Sequence, residues 1–281
     1  MNLGVHVSTA GGICAAVKRA RELKCTTMQI FIRSPQRTRE TYLSKDEIAE
    51  FVRERKKARL DPVFVHMNYV VNLASPFRKI IRRSIKDYIE DIKECYALKA
   101  EYLVTHMGSH RDTSEAAGFR RLIKALNTII SETKDFPVGI LLENVCGAGS
   151  WLGYSFLHHK KVIEKLQDPD RVGICLDTAH AYSAGYNIAT KDGLDATLDE
   201  IDRLLGIKKL KMIHLNDSKD TFDSRRDRHE HIGKGKIGLQ GIQRIVNHPK
   251  LKNVPLILET PKDFETADLS NLKTVRALVK K

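Results

Sequence analysis

Short runs in which every position is apolar alternate with longer stretches whose apolar residues return every three or four positions. Strands are expected at Gly4 to His6, Met28 to Phe31, Val63 to His66, Tyr102 to His106, Gly139 to Glu143, Val172 to Asp177, Leu210 to His214 and Leu256 to Glu259. Segments such as Ile140-Leu141-Leu142 and Leu256-Ile257-Leu258 contain no polar position, as a strand covered on both faces requires, and that favours a parallel sheet. Helical periodicity covers Gly11 to Leu23, Ser44 to Arg59, Pro76 to Leu98, Ser114 to Thr133, Leu157 to Gln167, Leu194 to Leu205, Leu239 to Asn247 and Thr266 to Val279. Ser44 followed by Glu47, and Ser114 opening an apolar register, are helix-start signals.

Six of the strands close on a side chain able to bind metal: His66, His106, Glu143, Asp177, His214 and Glu259, at gaps of 40, 37, 34, 37 and 45 residues. A strand, a returning helix and two loops take roughly 35 residues, the size of one unit in a barrel of about 250 residues. The spacing therefore predicts an α/β fold of the TIM (β/α)8 type, with one pocket at the C-terminal face of the strands. No linker or shift of composition divides residues 1–281, so a single domain is expected.

All eight loops that follow the strands of such a barrel open on one face, so residues distant in sequence converge there. Asp177-x-x-His180 and Asp227-x-His229 add further ligands from loops, and an Asp-x-His pair points both side chains one way on an extended segment. A single histidine at a strand end is more often a hydrogen-bonded core or loop residue than a ligand, and a single carboxylate there can simply cap the next helix. Six in matching positions point to metal. Imidazole and carboxylate without thiolate suit zinc, with manganese or iron as alternatives, and nine ligands exceed the need of one ion. Several ions at a hydrolytic site suit a phosphate ester, and water then serves as nucleophile. His6 is expected in the pocket without a ligand role, His110 and His231 beside it, and His158, His159 and His248 on the surface.

Charge changes the picture of the partner. Lys and Arg exceed Asp and Glu by 13, and a basic surface favours a polyanion such as nucleic acid. Helix-borne cations such as Arg53, Arg55, Lys56 and Lys57 read as solvated faces. Those in loops after strands 2 and 7, namely Arg33, Arg37, Arg39, Arg225, Arg226, Arg228, Lys234 and Lys236, are expected to face the ligands. No apolar run is long enough to span a membrane and no leader pattern is present, so a soluble cytoplasmic protein is expected. The five scattered cysteines form no C-x-x-C pair and are expected to be reduced and structural.

Leu176-Asp177-Thr178-Ala179-His180-Ala181-Tyr182 with Ala184-Gly185-Tyr186 resembles a signature of the endonuclease IV family of abasic-site endonucleases. So do His214-Leu215-Asn216-Asp217-Ser218-Lys219 through Asp227-Arg228-His229, and Leu256-Ile257-Leu258-Glu259-Thr260. The resemblance runs from Gly4-Val5-His6-Val7-Ser8 to the last strand. It implies a monomeric phosphodiesterase with three zinc ions that cuts duplex DNA 5′ to an abasic site and leaves a 3′-hydroxyl, with removal of 3′-blocking groups as a further activity. Carried over, one ion falls to His66, His106 and Glu143, a second to Glu143, Asp177, His214 and Glu259, and a third to His180, Asp227 and His229. Glu143 and Glu259 are the expected catalytic carboxylates. The family inserts loop side chains into DNA, and Tyr69 stands at a matching position; Arg37, Arg225, Arg228 and Lys236 are the further DNA contacts expected. This chain departs from the family at Ser34-Pro35-Gln36-Arg37-Thr38, which lacks a tryptophan and shifts the arginine by one. Lys234 stands between Gly233 and Gly235 where an acidic residue is common, and Asp223 replaces a usual glycine. A sugar isomerase on the same barrel and a non-catalytic nucleic-acid binder are the rival readings; the first needs no basic loops, the second no ligands.

Overall fold

A computed structural model describes residues 1–33 and 43–280. Its parallel strands β1 (Leu3–Val7), β2 (Met28–Ile30), β3 (Val63–His66), β4 (Tyr102–His106), β5 (Gly139–Glu143), β6 (Val172–Asp177), β7 (Leu210–His214) and β10 (Leu256–Leu258) close into a barrel, β10 pairing with β1. Helices α1 (Ile13–Glu22), α2 (Lys45–Lys57), α3 (Arg78–Ala97), α4 (Glu115–Glu132), α5 (Phe156–Ile163), α7 (Lys191–Leu205), α8 (Gly238–Val246) and α9 (Ala267–Leu278) make the returns. The TIM-barrel expectation holds, and each expected strand and helix is present with ends shifted by a few residues. Two elements were not expected: the short helix α6 (Thr178–Ser183), which follows β6 without a loop, and a ribbon of β8 (Asp217–Ser218) with β9 (His229–Glu230). Among the described residues no helix is long and apolar enough to cross a membrane.

Local chemistry accounts for the helix starts. The Ser44 hydroxyl accepts from the Glu47 amide at 3.2 Å while Glu47 Oε2 accepts from the Ser44 amide at 2.9 Å, a reciprocal cap for α2. Ser114 Oγ accepts from the Ala117 amide at 3.3 Å and starts α4.

The barrel has two apolar layers. A large shell between strands and helices includes Val63, Val65, Leu103, Ile140, Leu142, Ile174, Leu176 and Ile213, while Phe64, Val104, Leu141, Cys175, Met212 and Ile257 form a separate cluster inside the barrel. Successive strand side chains alternate between faces. Stepping two residues along from each member of the inner cluster reaches His66, His106, Glu143, Asp177, His214 and Glu259 in turn. The dry interior is therefore the floor on which the polar layer stands.

Some side chains differ from their expected places. Arg33 does not open on the ligands: it is buried under α3, with Nη2 3.1 Å from Glu90 Oε2, Nη1 3.8 Å from Asp87 Oδ1, and a hydrogen bond from Nε to Asp91. Asp87 and Asp91 are almost wholly buried, and a buried carboxylate requires a counter-charge. Arg55, expected to be solvated, is likewise buried, bonded to Glu101 at 2.9 Å. His158 and His159 are core residues, because α5 buries Phe156, His158, His159, Val162 and Ile163. His248 is half-buried, 3.0 Å from Asp195 Oδ1. The cysteines are free, and all but Cys14 are buried.

His159 is fully buried; Nδ1 donates to the Ser155 carbonyl at 3.1 Å and Nε2 has no partner. Burial drives its pKa down to about 4 from 6.5. The unfolded chain then takes up a proton first on acidification, so stability present above pH 6.5 is lost as pH falls toward 4. Between pH 7 and 5 the unfolding free energy of the wild type is expected to fall relative to His159→Leu by about 2 kcal/mol, at about 1.4 kcal/mol per pKa unit. Urea unfolding of both proteins, stripped of metal, at the two pH values checks this, and a difference independent of pH rules it out.

Candidate metal centre

At the C-terminal mouth of the barrel, His66, His106 and Glu143 bring one ligand atom each within 4.8 Å of one another; Glu143, Asp177, His214 and Glu259 form a second such group, and Asp177, His180 and His229 a third. Glu143 belongs to the first two and Asp177 to the last two, so the groups are continuous. Glu143 Oε2 lies 3.1 Å from His66 Nε2 and 3.3 Å from His106 Nε2, and its Oε1 lies 3.0 Å from His214 Nδ1. Asp227 Oδ1 joins the third group at 3.0 Å from His180 Nε2 and 3.4 Å from His229 Nε2. His180 comes from helix α6, not from a loop, because the Asp177 carboxylate caps that helix by accepting from the His180 amide at 2.7 Å. His229 stands on β9.

The outer nitrogens of three imidazoles are engaged by backbone. His66 Nδ1 donates to the Met67 carbonyl at 2.6 Å, His180 Nδ1 to the Asn144 carbonyl at 2.9 Å and His229 Nδ1 to the Glu259 carbonyl at 2.9 Å. A carbonyl can only accept, so each Nδ1 carries a proton and each Nε2 is the nitrogen turned to the pocket. His229 Nε2 is buried and has no hydrogen-bond partner.

Glu143 and Asp177 are inaccessible to solvent, and among the described residues the only positive partners within 4 Å of either are imidazoles. Burial would raise the Glu143 pKa, but His214, His106 and His180 hold it well below the ordinary carboxylate range. Asp227 is half-exposed at the edge of the group; partial desolvation is outweighed there by His180, His229 and His106, which bring its pKa down to about 2. Conversely, Asp177, Asp227 and Glu143 hold His180 well above the usual imidazole range against the effect of burial. Carboxylates kept ionised in a buried pocket, together with an orphaned imidazole lone pair, fit divalent cations, and the nitrogen and oxygen donors suit borderline ions.

The remaining histidines stand apart. His6 reaches the pocket with Nδ1 2.9 Å from Glu259 Oε1, while its Nε2 is buried without a hydrogen-bond partner. His231 bonds Asp263 at 3.0 Å and Asn271 at 2.9 Å, and His110 bonds the Thr113 carbonyl; neither enters the cluster.

Several amides escaped notice in the sequence. Asn144 Oδ1 accepts from the Asp177 amide at 2.7 Å, and Asn216 Nδ2 donates to Asp177 Oδ2 at 2.7 Å while its Oδ1 accepts from the Glu259 amide at 2.8 Å. Asn144 directly follows a ligand and Asn216 lies two beyond one, a signal that was available. Gln29 on β2 is fully buried against Glu259 and His214 with no motif around it.

Cations and one aromatic ring border the pocket. The Tyr69 ring is 55% exposed and sits 5.5 Å from Phe31, 5.8 Å from His66 and 6.2 Å from His106. Arg225 lies over the Tyr154 ring at 5.5 Å, with Nε donating to Asp223 Oδ1 at 3.1 Å. Arg228 Nε donates to Asp220 Oδ2 at 2.8 Å, and Lys236 is exposed on the same β7–α8 connection. The buried Asp217 carboxylate shapes that connection by accepting from the amides of Gly233, Gly235 and Ile237, each at 3.0 Å. A side chain at Gly235 would strike Asp217 Oδ1 at 2.4 Å, so glycine is required there. Arg37 and Arg39 lie outside the described residues.

Residues 17–278 match the family described as a xylose isomerase-like TIM barrel. A probable endonuclease 4 of Halothermothrix orenii is 42% identical over 93% of this chain and 94% of its own length. One from Citrifermentans bemidjiense is 41% identical over 99% and 98%. The crystal structure of endonuclease IV from Thermus thermophilus superposes with a TM-score of 0.88 at 33% identity, covering 99% of this chain and 98% of that one. A D-tagatose 3-epimerase-like protein shares the fold at a TM-score of 0.76 with 18% identity over 99% and 97%, and at that identity the likeness reports the barrel alone. Full-length identity near 40%, with a barrel mouth built from the residues of the matching motifs, establishes that this chain belongs to the endonuclease IV family.

Proposed function

We propose that this protein is a zinc-dependent endonuclease of DNA repair that hydrolyses the phosphodiester 5′ to an abasic site in duplex DNA and leaves a 3′-hydroxyl. Family membership makes it a hydrolytic nuclease. The observation that carries the finer reading is the meeting of five imidazoles and four carboxylates at one barrel mouth, bordered by cations. His66, His106 and Glu143 would hold one ion, Glu143, Asp177, His214 and Glu259 a second, and His180, Asp227 and His229 a third, with Asp177 beside it. Donors of this kind select zinc over magnesium or calcium, with manganese as the competitor. When bound, zinc supplies Lewis acidity, lowering the pKa of water toward neutrality and stabilising charge on phosphate oxygens.

The chain's own contribution is orientation and exclusion of water. Glu259 has one oxygen, Oε1, engaged by His6 and Gln29, which leaves Oε2 free toward the pocket, 3.4 Å from His214 Nδ1. Burial is outweighed by His214 and His6, which hold the Glu259 pKa far below the usual range, so the group is ionised and can orient a water by accepting a hydrogen bond from it. Glu143, ionised between four histidines, is shared by the first two ligand groups and would hold them together. The Tyr69 ring on the rim suits wedging between bases; a wedge of this kind costs a few kcal/mol of unstacking and yields a bent duplex with the lesion displaced toward the pocket. Arg225, Arg228 and Lys236 would meet the phosphate backbone. The protein is taken to act as a monomer in the cytoplasm, on DNA.

Incubation with a duplex carrying one tetrahydrofuran abasic analogue is expected to give a single cut on the 5′ side of the lesion, abolished by chelator and restored by zinc. A cut elsewhere, or cleavage unaffected by chelator, contradicts the reading. Glu259→Gln is expected to bind that duplex within about threefold of wild type yet cleave at least about 10³-fold more slowly in single turnover, because the carboxylate acts on the transition state and not on binding. Arg225→Ala and Lys236→Ala are each expected to weaken binding to any duplex and to lower the slope of log K against log salt by about 1. Titrations between about 50 and 200 mM salt measure it, and unchanged slopes exclude phosphate contacts at these positions.

A further inference from the structure

Six strands of the barrel end in ligands; β1 and β2 do not. Their residues at the same interior level are His6 and Gln29, paired in register across the two strands. Gln29 is fully buried, although an amide without partners at that depth is costly. Its partners are other polar side chains of the mouth. Nε2 lies 2.6 Å from Glu259 Oε1 and 2.8 Å from His6 Nδ1, and Oε1 lies 2.9 Å from His214 Nε2.

The amide can sit only one way round. Turned over, its oxygen would face the Glu259 carboxylate oxygen at 2.6 Å, two acceptors with no proton between them. With the NH2 group held toward Glu259, the carbonyl oxygen must face His214 Nε2, and that nitrogen must then carry a proton. His214 Nδ1 is left as the nitrogen on the pocket side, 3.0 Å from Glu143 Oε1, 3.4 Å from Glu259 Oε2 and 3.9 Å from Asp177 Oδ2, at the middle of the second ligand group. The same contact occupies Glu259 Oε1 and leaves Oε2 inward. One side chain from a strand that binds no metal therefore sets the donor atom offered by both β7 and β10.

We infer that Gln29 is a positioning residue for the metal centre: it fixes the His214 tautomer and the Glu259 rotamer together, so that Nδ1 and Oε2 are presented to one ion. This rests on the metal-dependent reading of the site. Partners that orient metal ligands typically contribute about 10–100-fold in metal affinity or activity. Backbone carbonyls do this for His66, His180 and His229, where the acceptor is invariant to mutation; His214 depends on a replaceable side chain.

The test compares wild type, Gln29→Met and Gln29→Glu by competition with a chromophoric chelator, long-range 15N spectra of the zinc-loaded protein, and steady-state cleavage of the abasic-analogue duplex. Gln29→Met keeps the volume and removes the amide's three polar contacts, to Glu259, His6 and His214; Gln29→Glu keeps an acceptor for His214 but repels Glu259. The expected result for both is zinc affinity of the weakest-held ion lowered about 10–100-fold and kcat lowered at saturating zinc, with KM within about threefold. Gln29→Met should also show His214 signals from both tautomers, whereas wild type shows protonated Nε2 alone. If either variant folds with wild-type zinc affinity and kcat, losing only thermal stability, Gln29 is a packing residue and the inference is overturned. If neither variant yields folded protein, the wild-type 15N spectrum decides: a proton on Nδ1 overturns the inference, one on Nε2 upholds it. A wild-type protein that binds no zinc would instead sink the metal-dependent reading, a separate outcome.

Discussion

The constraint from which the rest of this molecule follows is the burial of like charge. Glu143 and Asp177 are out of contact with solvent, Glu259 and Asp227 crowd the same space, and neither a lysine nor an arginine pairs with any of them among the described residues. For Glu143 and Asp177 the ionised form carries a desolvation penalty of several kcal/mol each, which only close positive charge offsets, whereas Asp227 is half-exposed. In the protein by itself, imidazoles supply it, and the mutual shifts of Glu143 and His180 are its signature. Divalent cations meet the requirement better, with more charge in less volume, so the cluster suits metal by electrostatics as well as by ligand type.

The barrel makes that crowding tolerable. Phe64, Val104, Leu141, Cys175, Met212 and Ile257 close the interior beneath the ligands, so water cannot approach from below and the ligand strands cannot splay without opening an apolar core. Rigidity also comes sideways. Asn144 and Asn216 tie Asp177 to its neighbours, and the Asp217 carboxylate gathers the amides of Gly233, Gly235 and Ile237 beneath the connection that carries Lys234 and Lys236. Chemistry and rim are thus held by the same kind of device, a buried acceptor collecting several donors.

Charge has two separate uses here. Arg33 and Arg55 are consumed inside the fold by Asp91 and Glu101, whereas Arg225, Arg226, Lys234 and Lys236 stand on one connection at the mouth. The net charge of +13 counts both sets, and only the second is exposed.

Period and spacing determined much of this from the chain alone. Apolar runs closed by His, Asp or Glu at near-regular intervals specify parallel strands, a closed barrel and the end at which ligands gather, because strand alternation and barrel closure leave no freedom about where such residues point. The expected ligands converge for that reason. What the sequence left open are properties of neighbours distant in the chain. Arg33 carries the same charge as Arg225 but faces Asp91 on α3; His159 has the same ring as His66 but lies on the buried face of a short helix. Helix α6 hides in a motif already counted as ligands, and its cap, Asp177, serves two roles at once. Gln29 is invisible in one dimension, since an amide in an apolar strand acquires meaning only when closure of the barrel sets Glu259 and His214, 230 and 185 residues away, on its two sides. Local pattern decides which way a side chain faces; only tertiary contact decides what it meets there.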